Sequence, residues 1–316
     1  YEWGLAKMSH NHSEYLKRNE KDHVFYIGFD LLDDGLSQVK EKFYNELFDD
    51  IPAFAFGTDI MNEKLSENGI MPTAREAMRK LYAIPEIQVA QKEYLDSTST
   101  EDKYLKRGEF GELLLYHLLH EYFNADALIS KIYFKDSASI PAHGFDAVHV
   151  DLENETLWLG ESKLYINPTS AIDELVKDVV GFVDKDGKMH KGHFNTDFFN
   201  SEFQIITNRV HDVGKEYPEF IKKLINPNTK TLNKLANINI ALFAGFSSTT
   251  LKNFDKITFK NSLNSEIEKL IIRADTGLSK HPWNQHLNLF LFLFPLDDKR
   301  TFVYSLHQKL KGAQQL

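Results

Sequence analysis

The chain has 316 residues and a mass of 36.5 kDa, enough for one large domain or two domains of ordinary size. Its composition, 42% hydrophobic and 13% aromatic, is that of a folded protein, and the absence of cysteine excludes disulfides, thiolate zinc sites and cysteine nucleophiles. The longest apolar run, residues 289–294, is too short to span a membrane, and residues 1–22 lack the apolar region of a signal peptide. We therefore expect a cytoplasmic protein without a membrane partner.

The formal net charge of −9 argues against a protein that coats nucleic acid, because affinity for phosphates comes mainly from lysine and arginine. It does not exclude a nuclease, since an active site needs only local positive charge and metal ions to approach a phosphate. The charge therefore indicates a partner that holds the remainder of such a substrate.

The first part of the chain is predicted to be a small α/β unit. Residues 23–30 and 51–57 are strand-like, and residues 35–48 carry apolar side chains at helical spacing. A further helix is predicted over 73–82 with Thr73 as its N-cap. The polar stretch near 97–102 is the best candidate for a boundary. We expect residues 1–98 to form an accessory, partner-docking segment and residues 99–316 to form a second domain.

The second part of the chain predicts a mixed sheet with helices on its faces, because strands alternate with helices after a β-hairpin. Ser170 and Asp173 resemble a capping box at the start of one of the helices. The predicted elements are a helix over 103–123, a strand over 128–134, a hairpin over 144–163, a helix after 170, a loop over 184–195, a strand over 238–246, a helix over 262–273, a strand over 289–294 and a final helix from about 302.

The hairpin carries two acids whose opposition follows from strand register. If its polar turn centres between residues 153 and 154, Val150 opposes Leu157 and Val148 opposes Leu159, so apolar residues match apolar residues. The same register places Asp146 opposite Glu161, and it pairs His149 with Trp158 on the other face as packing. Lys163 lies two residues after Glu161 and so shares its face.

This arrangement predicts chemistry on a phosphodiester. Two carboxylates directly opposed destabilise a sheet unless a cation neutralises them, and Mg²⁺ is the usual choice where water and phosphate complete its ligands. Lys163 is then placed to orient or deprotonate the attacking water and to stabilise the charge of the transition state. The alternative is a chance Glu-x-Lys sequence on a solvated strand, but here the residues end an apolar face opposite an aspartate.

Two glutamates in the preceding helix compete for a third acidic role. Glu112, Leu115, Leu119 and Phe123 have the spacing of one buried stripe, so Glu112 is the candidate metal ligand. Glu109 lies on the flank of that stripe and is interpreted as a first-turn acid that complements the helix dipole. The same interpretation is open for Glu112.

The order of a helix glutamate, then Gly-Phe-Asp at 144–146, then Gly-Glu-Ser-Lys at 160–163 resembles the PD-(D/E)xK nuclease superfamily. The resemblance implies a restriction-endonuclease-like fold, metal binding by Asp146 and Glu161, catalysis by Lys163 and completion of the site by Glu112. Ser162 is added as a metal-binding candidate, with Mg²⁺, or alternatively Mn²⁺, as the cofactor. Phe145 departs from the superfamily pattern, which has proline there, but this removes no chemical group.

More closely, Arg-Gly-Glu-Phe-Gly-Glu-Leu-Leu-Leu-Tyr at 107–116, together with the two hairpin motifs, resembles the HamA family of nuclease subunits in Hachiman anti-phage defence. That resemblance implies a DNA nuclease with a HamB-like helicase partner. The rival interpretations are a catalytically silent module that binds DNA ends or a partner, and a stand-alone restriction or junction-resolving nuclease. The chain has no Gly-x-x-x-x-Gly-Lys-Ser/Thr loop, so any ATP hydrolysis belongs to a partner.

The loop after the hairpin offers weaker candidates. Lys185, Lys188 and Lys191 are placed to touch a DNA backbone, although a plain solvated loop is an equal alternative. His190 and His193 have metal-like spacing, but we do not assign them as ligands in a loop of this composition.

Overall fold

A mixed seven-stranded sheet organises the computed structural model, which describes residues 12–30, 32–33, 35–83, 108–129, 145–212 and 218–314. The sheet has the order β1-β2-β9-β8-β5-β4-β3. The β2-β9, β9-β8 and β8-β5 pairs are parallel, and the outer pairs are antiparallel. Its strands are β1 (Ser13–Lys17), β2 (Asp22–Ile27), β3 (Asp126–Ile129), β4 (Ala147–Asp151), β5 (Thr156–Tyr165), β8 (Ile238–Ser247) and β9 (Asn288–Leu296); β6 (Gly181–Val183) and β7 (Met189–Lys191) form a separate hairpin.

Helices cover both faces of this sheet, as a sheet with parallel central strands requires. The described helices are α1 (Lys40–Asp49), α2 (Ile51–Phe56), α3 (Thr58–Asn68), α4 (Ile70–Ala83), α5 (Glu109–Phe123), α6 (Pro168–Val180), α7 (Thr196–Asp212), α8 (Glu219–Ile225), α9 (Thr231–Leu235), α10 (Thr249–Lys252), α11 (Phe259–Leu278) and α12 (Lys299–Gln314). Helices α1, α2, α5 and α12 share the core on one face, and α6, α7, α8 and α11 share the core on the other. The expected α/β architecture is confirmed.

The N-terminal strands belong to the main sheet. Strand β2 runs parallel to β9, with His23 opposite Phe292, and β1 adds an antiparallel edge. All six residues of β2 are buried. The predicted boundary at 97–102 lies outside the described residues.

Three local predictions in the N-terminal segment are wrong. The strand predicted over 51–57 is helix α2, since a short apolar run without periodicity suits a buried helix as well as a strand. Thr73 does not cap a helix but lies inside α4, where its hydroxyl donates to the Gly69 carbonyl at 2.8 Å. The helix predicted from residue 35 begins at Lys40, because Leu36 adopts a left-handed turn conformation with φ of 47°.

Two further predictions after the hairpin are corrected. Helix α6 begins at Pro168, and the Asn167 side chain is its cap, accepting from the Ser170 backbone N–H at 2.9 Å; Ser170 is not the N-cap. The segment 184–195, predicted to be a loop, contains strand β7, which pairs with β6. The strands and helices predicted from 238 onward are confirmed as β8, α11, β9 and α12. Residues 103–107, 130–134 and 144 of other predicted elements lie outside the described residues.

Candidate active site

The hairpin of β4 and β5 has the predicted register. Val150 pairs with Leu157, Val148 with Leu159 and His149 with Trp158. The Asp146 backbone N–H donates to the Gly160 carbonyl at 2.8 Å, one residue off this register, so the pairing becomes irregular where β4 begins. Gly160 allows a close approach here, since a Cβ on it would lie 2.6 Å from Leu115 Cδ2 of α5 and 2.9 Å from Ala147 Cβ of β4. The paired residues end at Ala147 and Gly160, so the direct opposition of Asp146 and Glu161 stays a prediction.

Asp146 is held from the neighbouring strand. Its Oδ2 accepts from the Ser162 backbone N–H at 2.8 Å and from the Ser162 hydroxyl at 2.9 Å, and both side chains are buried. Phe145, where the motif has proline, is also buried and packs on Phe194 at 5.4 Å between ring centroids. The Ser162 hydroxyl thus orients Asp146, while metal ligation by Ser162 stays a prediction.

Glu161 is the most deeply buried acid of the hairpin, with 3% of its surface exposed. Burial, together with the nearby charge of Asp146, raises the pKa of Glu161. His193 Nδ1 lies 2.8 Å from Glu161 Oε1, and this contact favours the ionised carboxylate. Burial and the charge of Asp146 therefore disfavour ionisation of Glu161, and a bound cation would offset this effect.

Lys163 shares the face of Glu161 and contacts helix α6. Its Nζ lies 2.5 Å from Asp178 Oδ2, and both side chains are about three-quarters buried. Burial alone would lower the pKa of Lys163, but the hydrogen bond and charge of Asp178, with smaller contributions from Glu161 and Asp146, raise it. Lys163 is thus held in its protonated form, with its ammonium group paired to Asp178.

Glu112 is buried in the first turns of α5, as its stripe predicted. Gly111 beside it abuts Ser162, with an added Cβ 3.5 Å from the Ser162 hydroxyl. Helix α5 therefore packs on the face of β5 opposite Glu161. Among the described residues no group of three or more His, Asp or Glu side chains is placed to hold a metal ion, so the expected convergence of three acids is not found.

The acid pair nevertheless fits a hard divalent cation. Mg²⁺ commonly binds through one or two carboxylates and takes its other ligands from water and substrate phosphate. Asp146 and Glu161 supply buried carboxylate oxygens, and burial together with the charge of Asp146 raises the pKa of Glu161. Ligation by Glu112 stays a prediction.

The two histidines of the predicted loop make different contacts. His190 contacts Asp184 within the hairpin at 2.8 Å, whereas His193 reaches Glu161. The predicted DNA contacts Lys185, Lys188 and Lys191 are all exposed, and Lys191 pairs with Asp197 at 3.2 Å. Sequence reasoning thus noted His193 for its spacing but not for its contact with Glu161, and it missed Asp178. Asp178 carried a signal in the sequence, since it lies three residues after Leu175 on the apolar stripe of α6, just as Glu112 lies three residues before Leu115 on that of α5.

The fold and site together define an α/β protein with an acid pair and a lysine on one β-hairpin of a mixed sheet. A family model described as HamA matches residues 5–310, so the chain belongs to the HamA family, a component of Hachiman anti-phage defence. No curated protein and no solved structure gives a significant match. Within the described part of the chain, no helix has the length and apolar character needed to cross a bilayer.

Proposed function

We propose that this chain is a metal-dependent DNA nuclease that hydrolyses phosphodiester bonds in antiviral defence, together with a helicase partner. The observation that carries the proposal is that Asp146 and Glu161 are both buried at the same end of the β4–β5 hairpin, with Lys163 two residues further along β5 on the face of Glu161. Membership of the HamA family supports the setting in phage defence.

The charges at the site favour a divalent cation as cofactor. Asp146, Glu161 and Asp178 are three acids, and Lys163 with a protonated His193 supplies at most two positive charges. A phosphodiester would therefore meet a negative site unless a cation such as Mg²⁺ or Mn²⁺ is bound. When bound, such a cation polarises the phosphate and lowers the pKa of a water molecule.

The chain's own residues have distinct roles in this proposal. Asp146 and Glu161 hold the cation, and Ser162 orients Asp146 through its two hydrogen bonds. Lys163 donates to the phosphate or to the attacking water and stabilises the developing negative charge. Its raised pKa favours this role over that of a general base.

The helicase partner follows from charge and from family membership. A chain with a net charge of −9 releases few counterions on contact with duplex DNA and so captures it poorly alone. A partner that binds and opens DNA supplies this capture, and it restrains a nuclease that would otherwise attack its host. We place docking on the N-terminal segment, since Ser162, which binds Asp146, and His193, which binds Glu161, both lie outside it.

The second candidate is a catalytically silent module that binds DNA ends or a partner. A silent module has no need of two buried acids facing a lysine, because such a pair costs stability without a bound cation. A stand-alone restriction or junction-resolving nuclease is the other enzymatic alternative. Activity that is independent of a helicase would favour that alternative.

The test is cleavage of plasmid and linear DNA by the full chain, with and without a Hachiman helicase subunit, in Mg²⁺, Mn²⁺ or EDTA. Lys163→Ala should abolish cleavage, and because it also leaves the largely buried Asp178 without its ion-pair partner, the Tm and partner binding of the variant are measured alongside. Lys280→Ala, at an exposed lysine after α11, is the matched control. Cleavage that survives in EDTA or in Lys163→Ala would refute the proposed mechanism.

A further inference from the structure

The junction between α6 and the β6–β7 hairpin delivers two polar side chains to the acid pair. Asp178, in the last turn of α6, contacts Lys163 at 2.5 Å, and His193, two residues after β7, contacts Glu161 at 2.8 Å. The two are themselves joined, since the His193 backbone N–H donates to the Asp178 carbonyl at 2.6 Å. Glu161, His193, Asp178 and Lys163 thus form one closed set of contacts.

We propose that His193 and Asp178 are positioning residues: His193 fixes the Glu161 carboxylate toward Asp146, and Asp178 directs the Lys163 ammonium across the same site. The inference rests on the nuclease activity proposed above and adds two residues that the motif does not contain. Glu161 and Lys163 are two residues apart on one strand, so their side chains share a face. The end of α6 and the β6–β7 hairpin, which we call the clamp, contact both side chains from that face and can set both orientations.

The clamp is built rigidly enough to set an orientation. A Cβ added to Gly192 would lie 2.1 Å from the Val179 carbonyl oxygen, and one added to Gly181 would lie 2.4 Å from the His190 carbonyl oxygen. The base of the hairpin therefore packs backbone against backbone on the end of α6, with no flexible side chain between them. His193, directly after Gly192, inherits this fixed placement.

His190 and His193 differ in the burial of the acid that each contacts. His190 and His193 are three residues apart, and each meets an acid at 2.8 Å. The acid that His190 meets is Asp184 of the same hairpin, part-exposed, whereas the acid that His193 meets is the buried Glu161 of the central sheet. Removal of the His193 ring therefore alters a buried reactive group, and removal of the His190 ring alters the hairpin alone.

The experiment compares His193→Leu, His193→Asn and the control His190→Leu in the full chain, with the helicase subunit present. His193→Leu should lower kcat by about 10-fold to 100-fold with KM changed less than about twofold, because misplacing a reactive group reduces turnover more than binding. His193→Asn should restore most of the activity, since its amide nitrogen occupies nearly the place of Nδ1. Asp178→Leu and Asp178→Asn should repeat this contrast for Lys163.

A second readout does not depend on cleavage. Calorimetric titration of Mg²⁺ into the DNA-free chain should show weaker binding in His193→Leu by about 10-fold to 100-fold, the cost typical of losing a group that orients a metal ligand. Binding in His190→Leu and His193→Asn should stay near that of the unaltered chain. Thermal unfolding of each variant reports separately on stability.

The outcomes distinguish this inference from the proposed function. Equal Mg²⁺ affinity in His193→Leu and His190→Leu, or failure of His193→Asn to restore it, overturns the positioning role whether or not the chain cleaves DNA. Absence of cleavage by the unaltered chain, together with Mg²⁺ binding that depends on His193, overturns the nuclease proposal and supports the positioning role. Absence of Mg²⁺ binding by the unaltered chain overturns both.

Discussion

Substitution of Gly192 by alanine tests whether the hairpin is fixed to α6. The added Cβ would lie 2.1 Å from the Val179 carbonyl oxygen and 2.5 Å from its carbonyl carbon, whereas Cβ atoms essentially never approach within 3.0 Å. The obstructing atoms are backbone at the end of a helix and cannot rotate away. The hairpin base must therefore move by about 1 Å, the shortfall in these contacts, and must carry His193 with it.

The expected magnitude follows from this geometry. Overpacking a well-packed contact costs about 1–3 kcal/mol, and a rigid backbone neighbour places Gly192→Ala in the upper part of that range. For a chain of this size each kcal/mol lowers Tm by about 2 °C, so a fall of about 4–6 °C is expected in calorimetry. A displacement of about 1 Å at His193 should also reduce cleavage by about 100-fold.

The control is Gly35→Ala, where the added Cβ meets Asp33 Oδ1 at 3.5 Å, an ordinary van der Waals separation. Its Tm and activity should match those of the unaltered chain. A Tm of Gly192→Ala within about 1 °C of the unaltered chain would show that the junction is adaptable and would refute the rigid-clamp reasoning.

Two further predictions concern DNA contact and acid stability. Replacing Lys185, Lys188 and Lys191 by alanine should weaken DNA binding in fluorescence anisotropy and make the slope of log K against log salt shallower by about 2. Lys191 should contribute least, because it already pairs with Asp197. An unchanged slope would show that the lysines of the hairpin do not contact DNA. Burial lowers the pKa of His149 to about 4, so the unfolded chain binds its proton first and stability is lost as pH falls from 6.5 toward 4. In urea unfolding, His149→Phe should make the free energy of unfolding fall less steeply as pH decreases, by up to about 1.4 kcal/mol per pH unit. An equally steep fall in the variant would contradict a lowered pKa of His149.

The acid pair was predictable because every step of it is local. Asp146 and Glu161 lie fifteen positions apart across one turn, and matching apolar residues fix the register of the strands beside them without knowledge of any other element. Strands β8 and β9 were equally readable, since parallel strands buried on both faces are continuous apolar runs.

The remaining site residues depend on packing that a linear pattern does not encode. His193 meets Glu161 across 32 residues, and that contact depends on where α6 ends and on a hairpin that reverses the chain. The stripe of Glu112 indicated burial correctly but did not show which sheet face α5 would cover. Helix α2 was mistaken for a strand because six apolar residues have no periodicity to measure.

Docking by the N-terminal segment has to be tested without removing that segment. Strand β2 completes the central sheet, and the burial of Val24, Phe25 and Ile27 is worth about 4–9 kcal/mol, much of the 5–15 kcal/mol that stabilises a typical domain. Truncation would therefore unfold the sheet and abolish helicase association for a trivial reason. Ile70 and Met71 at the start of α4 are 74% and 55% exposed, so charge placed there spares the core. If this surface docks the helicase, Met71→Glu should reduce association in a pull-down at unchanged Tm, whereas undiminished association would move docking elsewhere.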